Sequence, residues 1–518
     1  TIPLGVQSII GFILGGAFST SLVVLISFMM LGVLLSGIFQ IQQMKVIERL
    51  QQKIFHYYAF NFKNNTLSLD LKKSDNTYFP ELMNRFLDVS GLQKGLSKIL
   101  LDIPLASIQI FLGLIIVAIF HPLFLIMVLV LLLFIVLIFV ITSKKGLETS
   151  IKESSYKYEV TSWLEEIARM VSIFKINRSY GLAENFMDQK VQNYLDYRTK
   201  HFKILLYQFK NLIFLKLIIT GVMLILGTYL LINQQLNVGQ FVAAEIIIIM
   251  MINSVEKVIV NLDSFYDLLT SIDKLSAIDN EPKENEGLNI LPQYSKGMEV
   301  EFSNVSFSYN EDIPIFEESS FVINSGEKIA ISGKEGAGKS TLLRLFSSTY
   351  APNTGTIIFN DIPIHNLAKT EFRENISMML NKLDIFKGSI IDNITMGNNS
   401  IKLHDIIDMA KEIGLDDYIN HTKDGYYTML DTVGKRLPKT IIKKIIFLRT
   451  VIAQKPLILL EDPFSELSDK VIKAMQHILL HKLPHSTVII VNSDEHFTNQ
   501  CDRVIEINDR KITISNNR

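Results

Sequence analysis

The chain has 518 residues, enough for several domains; 48% of them are hydrophobic and the mean hydropathy is positive, a balance that is unusual for a soluble protein. The formal net charge is −1 and the sequence contains no concentrated basic block, which argues against a nucleic-acid partner. The single cysteine, Cys501, excludes an intrachain disulfide framework.

The first 44 residues of the chain carry no charge. Because a membrane-spanning helix needs about 20 apolar residues, this stretch is too long for one span, and its small and polar residues at 15–21 predict a turn. One full helix is predicted at about Leu22–Ile41. Residues 1–14 would extend only about 21 Å as a helix, less than the hydrocarbon core of a bilayer, so we expect the chain to begin inside its first helix.

Four further spans are predicted from apolar runs, at about Ile103–Phe120, Pro122–Ile141, Leu212–Ile232 and Phe241–Ile259. Residues 42–98 and 143–210 are rich in Lys and Arg, and the positive-inside rule places both segments in the cytoplasm. The connections at His121 and at 233–239 are short and contain no Lys or Arg, as is typical of outer hairpins. This topology also places the C-terminal region in the cytoplasm.

The two cytoplasmic segments are predicted to be helices that project beyond the bilayer, because stretches such as 163–174 carry apolar residues at helical spacing. Two charged residues fall inside predicted spans. Glu245 could line a translocation path, or it could snorkel from its span to the outer surface. Lys216 lies near the cytoplasmic end of its span, where its long side chain is expected to reach water.

The sequence pattern changes after the last span. Residues 279–287 combine four acidic residues with a proline and a glycine, which predicts a linker. From Met298 onwards, short apolar strands alternate with helical stretches, a pattern typical of an α/β domain. The sequence therefore predicts a helical membrane domain at residues 1–278, a linker at 279–297 and an α/β domain at 298–518.

Residues 333–341 read Gly-Lys-Glu-Gly-Ala-Gly-Lys-Ser-Thr, which matches the phosphate-binding loop pattern between a predicted strand and a predicted helix. The glycines allow backbone amides to approach phosphate oxygens, and the helix N-terminus adds partial positive charge. Lys339 is predicted to reach the terminal phosphates and Ser340 to ligate magnesium. The expected ligand is ATP or GTP, and the glycines concerned are Gly333, Gly336 and Gly338.

This arrangement resembles the half-transporters of the ATP-binding cassette exporter family, in which a membrane domain precedes one nucleotide-binding domain. Phe386–Ile394 looks like the stretch after the family's Q-loop, and Asp431–Gly434 looks like the approach to its signature motif. Leu457–Asp462 is similar to the family's Walker B strand. The resemblance covers essentially the whole chain.

The resemblance implies an all-α polytopic membrane domain of the six-helix exporter type, with a truncated first helix, followed by an α/β P-loop nucleotide-binding domain. It implies ATP and Mg²⁺ as cofactors, with Tyr309 stacked on adenine and Thr341 in the nucleotide site. It also implies an integral protein of the plasma (inner) membrane with a cytoplasmic nucleotide-binding domain. Coupling helices would lie near Tyr78–Leu87 and Glu165–Phe174.

Several positions depart from the family pattern. Counting back from Phe386 places Asn381 at the Q-loop glutamine. Counting back from Arg449 places the family's signature motif, Leu-Ser-Gly-Gly-Gln, on Leu437, Pro438, Lys439, Thr440 and Ile441. Pro438 lacks an amide hydrogen, and side chains replace the glycines that allow close approach. The family's contacts from the signature to the γ-phosphate therefore cannot form in the usual way.

The acidic pair after the Walker B strand is inverted relative to the family. Glu461 stands where an aspartate holds magnesium, and Asp462 stands where a glutamate positions the attacking water. Because misplacement of a catalytic group by an ångström can cost on the order of 10²-fold in rate, Asp462 is expected to be a slow base. Ser493 falls at the switch histidine, and Ser468 falls at the D-loop aspartate, next to Asp469.

Two interpretations remain open. In the favoured one, the chain is an ATP-driven exporter subunit in a lipid bilayer that pairs with a second half-transporter carrying an intact signature, so that a heterodimer is favoured over a homodimer. In the alternative, the chain binds ATP but hardly hydrolyses it, and it is a membrane regulator or an inactive paralogue.

Overall fold

The computed structural model describes residues 2–14, 20–74, 77–292, 296–309, 313–382, 384–434, 436–492 and 494–516. The chain divides into two compact units. The first contains residues 1–68 and 77–281, and the second contains residues 69–76 and 282–518. Most of the turn predicted at 15–21 lies outside the described residues.

The first unit is helical. A 3-10 turn at Arg85–Asp88 lies between its third and fourth helices. The helices are α1 Ile2–Leu14, α2 Thr20–Leu67, α3 Phe79–Asn84, α4 Val89–Phe120, α5 Pro122–Arg169, α6 Val171–Ile176, α7 Tyr180–Ile232, α8 Val238–Val260 and α9 Leu262–Asn280.

Five helical stretches among the described residues are long and apolar enough to cross a membrane, and α1 is a shorter apolar helix. Each of the five predicted full spans lies within one of these stretches, so those predictions are confirmed. The helices extend well beyond the apolar runs, because residues without strong hydrophobicity continue the same backbone hydrogen bonding outside the bilayer. The five stretches are Thr20–Leu67, Phe79–Phe120, Pro122–Arg169, Tyr180–Ile232 and Val238–Asn280.

Local capping residues define both predicted outer connections. Pro122 is the first residue of α5, where its missing amide hydrogen costs nothing, and Nδ1 of His121 accepts a hydrogen bond from the Leu123 N–H at 3.2 Å. Before α8, the Asn237 side chain accepts from the Gln240 N–H at 2.7 Å, and the Gln240 side chain accepts from the Asn237 N–H at 3.0 Å. This reciprocal pair is a capping box, which fixes where the helix starts.

The structure refines three expectations for the helical unit. The helix predicted at 163–174 is interrupted at Met170, which ends α5 and precedes the short helix α6. Lys216 forms an ion pair with Glu256, with 3.1 Å between Nζ and Oε2. Glu245 is half-buried within α8.

The second unit combines strands with helices, which confirms the predicted α/β class. The strands are β1 Val300–Ser308, β2 Pro314–Ile323, β3 Lys328–Gly333, β4 Thr354–Phe359, β5 Ile362–Pro363, β6 Ile376–Met379, β7 Gly388–Ser389, β8 Met429–Leu430, β9 Leu457–Glu461, β10 Thr487–Val491, β11 Arg503–Asn508 and β12 Lys511–Asn516. The helices are α10 Lys339–Phe346, α11 Lys369–Arg373, α12 Ile390–Thr395, α13 Leu403–Glu412, α14 Asp416–Ile419, α15 Lys439–Val451, α16 Asp469–His481 and α17 Glu495–Thr498.

The largest sheet has the order β12-β11-β3-β10-β9-β6, and all its strands except the edge strand β12 run parallel. Residues 457–460 of β9 and 488–490 of β10 are 0% exposed, as expected for central strands covered on both faces. Because β3 and β9 flank β10 and share its direction, their carboxyl ends meet at one edge of the sheet. A second sheet has the order β2-β1-β4-β5, and β7 pairs with β8.

Much of the predicted linker packs on the second unit. The carboxylate of Glu284 accepts two hydrogen bonds from Arg373, both at 2.7 Å. The Gly287 N–H donates to the carbonyl of Leu367 at 2.9 Å. A Cβ on Gly287 would lie 2.2 Å from the backbone of Asn366, so only glycine permits this close approach. Residues 284–289 are therefore fixed on the second unit by directional contacts.

Candidate nucleotide-binding site

The predicted phosphate-binding loop connects β3 to α10, which begins at Lys339. Gly336 and Gly338 adopt φ values of 78° and 97°, in the left-handed region that favours glycine. At Gly338 a Cβ would also lie 2.6 Å from the Ile315 side chain and 2.9 Å from the Phe316 ring. The loop therefore needs glycine at Gly338 for both conformation and space.

The lysine of the loop folds back over the loop itself. Nζ of Lys339 donates hydrogen bonds to the carbonyl oxygens of Gly333 and Lys334, both at 2.8 Å. The ammonium is thus held beside the loop by two neutral acceptors and forms no ion pair among the described residues. The ammonium of Lys339 is available to an anion, because breaking hydrogen bonds to two neutral carbonyls costs less free energy than breaking an ion pair with a carboxylate.

Glu461 connects three parts of the site. Its Oε1 accepts a hydrogen bond from the Ser340 hydroxyl, and its Oε2 accepts one from the backbone N–H of Asn381 at 3.0 Å. Ser340 belongs to α10, Asn381 follows β6, and Glu461 ends β9. The structure thus brings together three of the predicted site residues that are far apart in the chain.

Asp462 lies directly after β9 in a left-handed conformation with φ of 47°. Aspartate tolerates this region better than most residues do. Its backbone N–H donates to the carbonyl of Val491, at the end of the adjacent strand β10, at 2.9 Å. The backbone therefore turns away from the direction of β9 at Asp462, whose side chain is half-buried.

Tyr309 belongs to an aromatic cluster beside α10. Its hydroxyl lies 2.7 Å from Oγ1 of Thr341, and the Arg344 guanidinium donates to it at 3.3 Å. The ring meets Phe307 and Tyr350 edge to face, with centroid distances of 5.3 and 5.8 Å. These neighbours orient the ring. Because 38% of Tyr309 is exposed, part of the ring remains open to a ligand.

The predicted signature-equivalent residues lie at the start of α15. Pro438 precedes the first helical residue, Lys439, and Leu437 and Thr440 are half-buried while Ile441 is buried. A cleft of about 140 Å³ opens beside this helix start. None of the described residues that line it belongs to the phosphate-binding loop. The lining residues are Asn381, Lys439, Thr440, Lys443, Ser465 and Glu466.

Two cationic side chains of α15 have structural roles that the sequence did not reveal. Lys443 is buried and donates to the Ser465 carbonyl at 3.0 Å. Burial lowers the pKa of Lys443, while the negative charges of Asp462 and Glu466 partly offset that shift. Arg449 donates to the carbonyl of Asn393 at 2.6 Å. Because charged residues are normally exposed, no local sequence pattern predicted the burial of Lys443 or the partial burial of Arg449. Ser493 lies outside the described residues.

The donor set fits a nucleotide accompanied by magnesium. A hydroxyl from Ser340 and a carboxylate from Glu461 meet at one point, and hard oxygen donors of this kind are the ligands that Mg²⁺ prefers. No group of three or more His, Cys, Asp or Glu side chains suited to a metal occurs in the part of the chain that the structure describes. Magnesium at this site would therefore need further oxygens from phosphates and water.

Two family models match the chain. Residues 316–465 match the model described as ABC transporter, and residues 1–255 match the model described as ABC transporter transmembrane region. The first match contains the phosphate-binding loop and Glu461. The second contains four of the five membrane-spanning stretches of the described residues and the part of the fifth up to Val255, near the end of α8. An ATP-binding domain is thus joined to a transmembrane region, and the chain is an integral membrane protein.

Curated relatives resemble part of the chain. An uncharacterized ABC transporter ATP-binding protein of Bacillus subtilis, YknV, is 26% identical over 57% of this chain and 50% of its own length. The alpha-hemolysin translocation ATP-binding protein HlyB of Escherichia coli O157:H7 is 29% identical over 54% of this chain and 40% of its own length. The chain therefore spans half or less of the length of these relatives.

A solved structure resembles nearly the whole chain. The structure of a bacterial Atm1-family ABC exporter with ATP bound covers 99% of this chain and 91% of its own, with a TM-score of 0.86. The sequence identity is 18%, so this likeness shows the fold alone. It agrees with the predicted order of a helical membrane domain followed by a nucleotide-binding domain.

Proposed function

Because this chain belongs to the ABC transporter family, we propose that it is the ATP-binding and membrane-spanning subunit of an exporter, which couples ATP binding and slow hydrolysis to translocation of a substrate. The observation that carries the proposal is the presence in one chain of a glycine-constrained phosphate-binding loop and, among the described residues, five helical stretches long and apolar enough to cross a membrane. The names of relatives such as HlyB describe translocation, and this supports export as the direction of transport.

In this proposal the nucleotide site uses residues from three parts of the second unit. The exposed part of the Tyr309 ring stacks on adenine, and the backbone amides of the loop hold the phosphates together with Lys339. Asn381 lies beside the γ-phosphate end of the site, since its N–H bonds to Glu461. The loop residues assigned to ATP are Gly333, Gly336, Gly338, Lys339, Ser340 and Thr341.

Ser340 and Glu461 would hold magnesium, which when bound neutralises phosphate charge. In the structure these two side chains bond to each other, so binding exchanges that hydrogen bond for contacts to the cation. Asp462 is the proposed base that orients water. Its shorter side chain and its left-handed backbone support slow hydrolysis, because both change where the carboxylate lies.

We further propose a heterodimer in the plasma (inner) membrane, with residues 298–518 in the cytoplasm, residues 1–278 as the membrane domain and residues 279–297 as the linker. The changed residues Leu437, Pro438, Lys439, Thr440 and Ile441 support a partner that supplies an intact signature, since Pro438 offers no N–H at the start of α15. Ser493 in place of a histidine would leave this chain without an imidazole at the switch position.

The test is ATP turnover by the full chain in nanodiscs, alone and together with a co-encoded exporter half, with Lys339→Ala as the background. Turnover above that background only with the partner would support the heterodimer. Turnover by this chain alone would overturn the heterodimer but keep the exporter ATPase. ATP binding without turnover in both preparations would overturn slow hydrolysis and favour the membrane regulator.

A further inference from the structure

Residues 69–74 connect α2 to α3 along the chain but belong to the second unit. Leu69 is 3% exposed and forms an antiparallel bridge with Lys283. The Asp70 N–H donates to the carbonyl of Pro282 at 2.9 Å. Residues 69–74, the connecting segment, are therefore attached to the second unit by backbone pairing with residues 282 and 283.

Lys72 makes the segment's contact with the aromatic cluster. Its Nζ donates to Oδ1 of Asn353 at 2.8 Å and lies 4.3 Å from the centroid of the Phe307 ring. The Asp70 carboxylate accepts from the Lys72 N–H at 3.1 Å, which fixes the turn that presents this side chain. Burial lowers the pKa of Lys72, while Asp70 opposes that shift. The ammonium is thus held at a half-buried place by an amide oxygen and a ring face.

The two acceptors of Lys72 both belong to the environment of Tyr309. The Phe307 ring stacks on Tyr350 at 5.7 Å and meets the Tyr309 ring edge to face at 5.3 Å. Oδ1 of Asn353 also accepts from the N–H of Ser308, the residue before Tyr309, at 3.1 Å. Lys72 therefore contacts both the ring that meets Tyr309 and the Asn353 side chain that accepts from the backbone leading into Tyr309.

The neighbouring lysine differs from Lys72 in each of these respects. Lys73 is exposed, with 62% of its side chain accessible, and its ammonium forms an ion pair with Asp70 at 3.4 Å. Surface ion pairs of this kind contribute little to the stability of a protein. Adjacent lysines on one segment thus provide a matched pair, in which one contacts the aromatic cluster and the other faces solvent.

We propose that Lys72 is a positioning residue for the adenine base, acting through Phe307 and Asn353 to hold Tyr309 in the orientation that stacks on the nucleotide. The inference rests on the proposed ATP binding. A cation over an aromatic ring contributes most where both are desolvated, and fixing a binding side chain in advance raises affinity by reducing the ordering cost. A residue from the connection between two membrane-domain helices therefore contributes to base recognition.

This role separates binding of the base from binding of the phosphates. The contacts of Lys72 are to Phe307 and Asn353, whereas the phosphates are assigned to the loop at 333–341. Loss of Lys72 should therefore weaken the binding of ligands that carry adenine and leave the binding of inorganic tripolyphosphate unaffected. General destabilisation of the second unit would weaken both ligands together.

The experiment measures the Kd of a fluorescent ATP analogue for the full chain in nanodiscs, and its displacement by ATP and by inorganic tripolyphosphate. The variants are Lys72→Ala, Lys72→Arg and Lys73→Ala, with Lys339→Ala as the non-binding reference. We expect Lys72→Ala to weaken the binding of ATP by about threefold to tenfold, the range expected for loss of a partly desolvated cation–π contact. Lys72→Arg should retain the affinity for ATP, and Lys73→Ala should match the unsubstituted chain.

The possible outcomes distinguish the inference from the function on which it rests. Equal ATP affinities for Lys72→Ala and Lys73→Ala would overturn the inference while leaving ATP binding intact. A parallel loss for ATP and tripolyphosphate would assign Lys72 a structural role and would also overturn it. If the unsubstituted chain bound no more ATP than Lys339→Ala, the proposed function itself would fail.

Discussion

Ser340 and Glu461 lie 121 residues apart in the chain and share a hydrogen bond, in which the hydroxyl donates to Oε1 of the carboxylate. The other carboxylate oxygen accepts from the Asn381 N–H, so Glu461 joins the start of α10 to the loop after β6. A shorter aspartate would reach less far from the end of β9. The glutamate at this position therefore makes direct contact with Ser340, the proposed magnesium ligand.

Glu461→Gln should lower ATP affinity by about tenfold when Mg²⁺ is present, because hydrogen bonds and cation contacts of a charged group contribute about 1.5–3 kcal/mol. In EDTA the same substitution should have little effect. Titration of ATP with and without Mg²⁺ measures the difference. Glu506→Gln, which changes an exposed carboxylate on β11, is the control. A loss of the same size in EDTA would contradict a role for Glu461 in holding magnesium.

Asp462→Glu should raise ATP turnover, by up to about 10²-fold if position alone limits the base. The backbone at this position has φ of 47°, so a longer non-glycine side chain there also carries a conformational cost of about 1–2 kcal/mol. Turnover should therefore be measured well below the unfolding temperature. Asp462→Asn is the comparison, and turnover that it leaves unchanged would exclude Asp462 as the base.

Gly336 and Gly397 provide a matched test of the phosphate-binding loop. Their φ values are 78° and 79°, and a Cβ at either position would meet nothing within 4 Å. Alanine should therefore lower the free energy of unfolding by a similar amount at both positions, about 1 kcal/mol. Only Gly336→Ala should weaken ATP binding, as measured by titration. Equal ATP affinities for the two variants would argue that the loop does not bind phosphate.

The stability of the second unit should rise with pH above about pH 8 because of Lys328. Its Nζ is buried and donates to the carbonyls of Leu483 and Ser486 at 2.7 and 2.6 Å. Burial lowers its pKa to about 8, with Asp502 opposing the shift. The unfolded chain keeps the usual value of about 10.4, so between these values it binds more protons than the folded state, and stability increases with pH.

Calorimetric unfolding at pH 7.5, 8.5 and 9.5 tests this expectation for Lys328. Lys328→Met should remove the contribution to the pH dependence, because it keeps much of the side-chain volume and cannot titrate. Lys511→Met, at an exposed lysine on β12, should keep it. An identical pH dependence in Lys328→Met and the unsubstituted chain would show that the pKa of Lys328 does not change on folding.

The membrane spans could be predicted from the sequence because hydrophobic length is a local property. The apolar runs at 122–141 and 212–232 lie inside α5 and α7, and the predicted outer connection at His121 ends one helix and caps the next. Local pattern did not predict the break at Met170 or the attachment of residues 284–289 to the second unit. The attachment depends on residues distant in the chain, Arg373 and Leu367.

The phosphate-binding loop could be predicted for the same reason, since its glycines, Lys339 and Ser340 are contiguous and their chemistry follows from their spacing. The identity of Tyr309 as an aromatic site residue came from resemblance, and its bond to Thr341 came only from the structure. Lys72 and Lys443 had no local signal, because nothing in their flanking residues indicates what they contact.

The sequence by itself determined that this protein has membrane-spanning helices followed by an α/β domain with a phosphate-binding loop, because hydrophobic runs, turn residues and glycine spacing act within a few residues. Only the tertiary structure decided which distant side chains share the site. The parallel order β3-β10-β9 brings Ser340 to Glu461, and the connecting segment brings Lys72 to Phe307. Those contacts depend on strand order and chain path, which no local pattern of residues encodes.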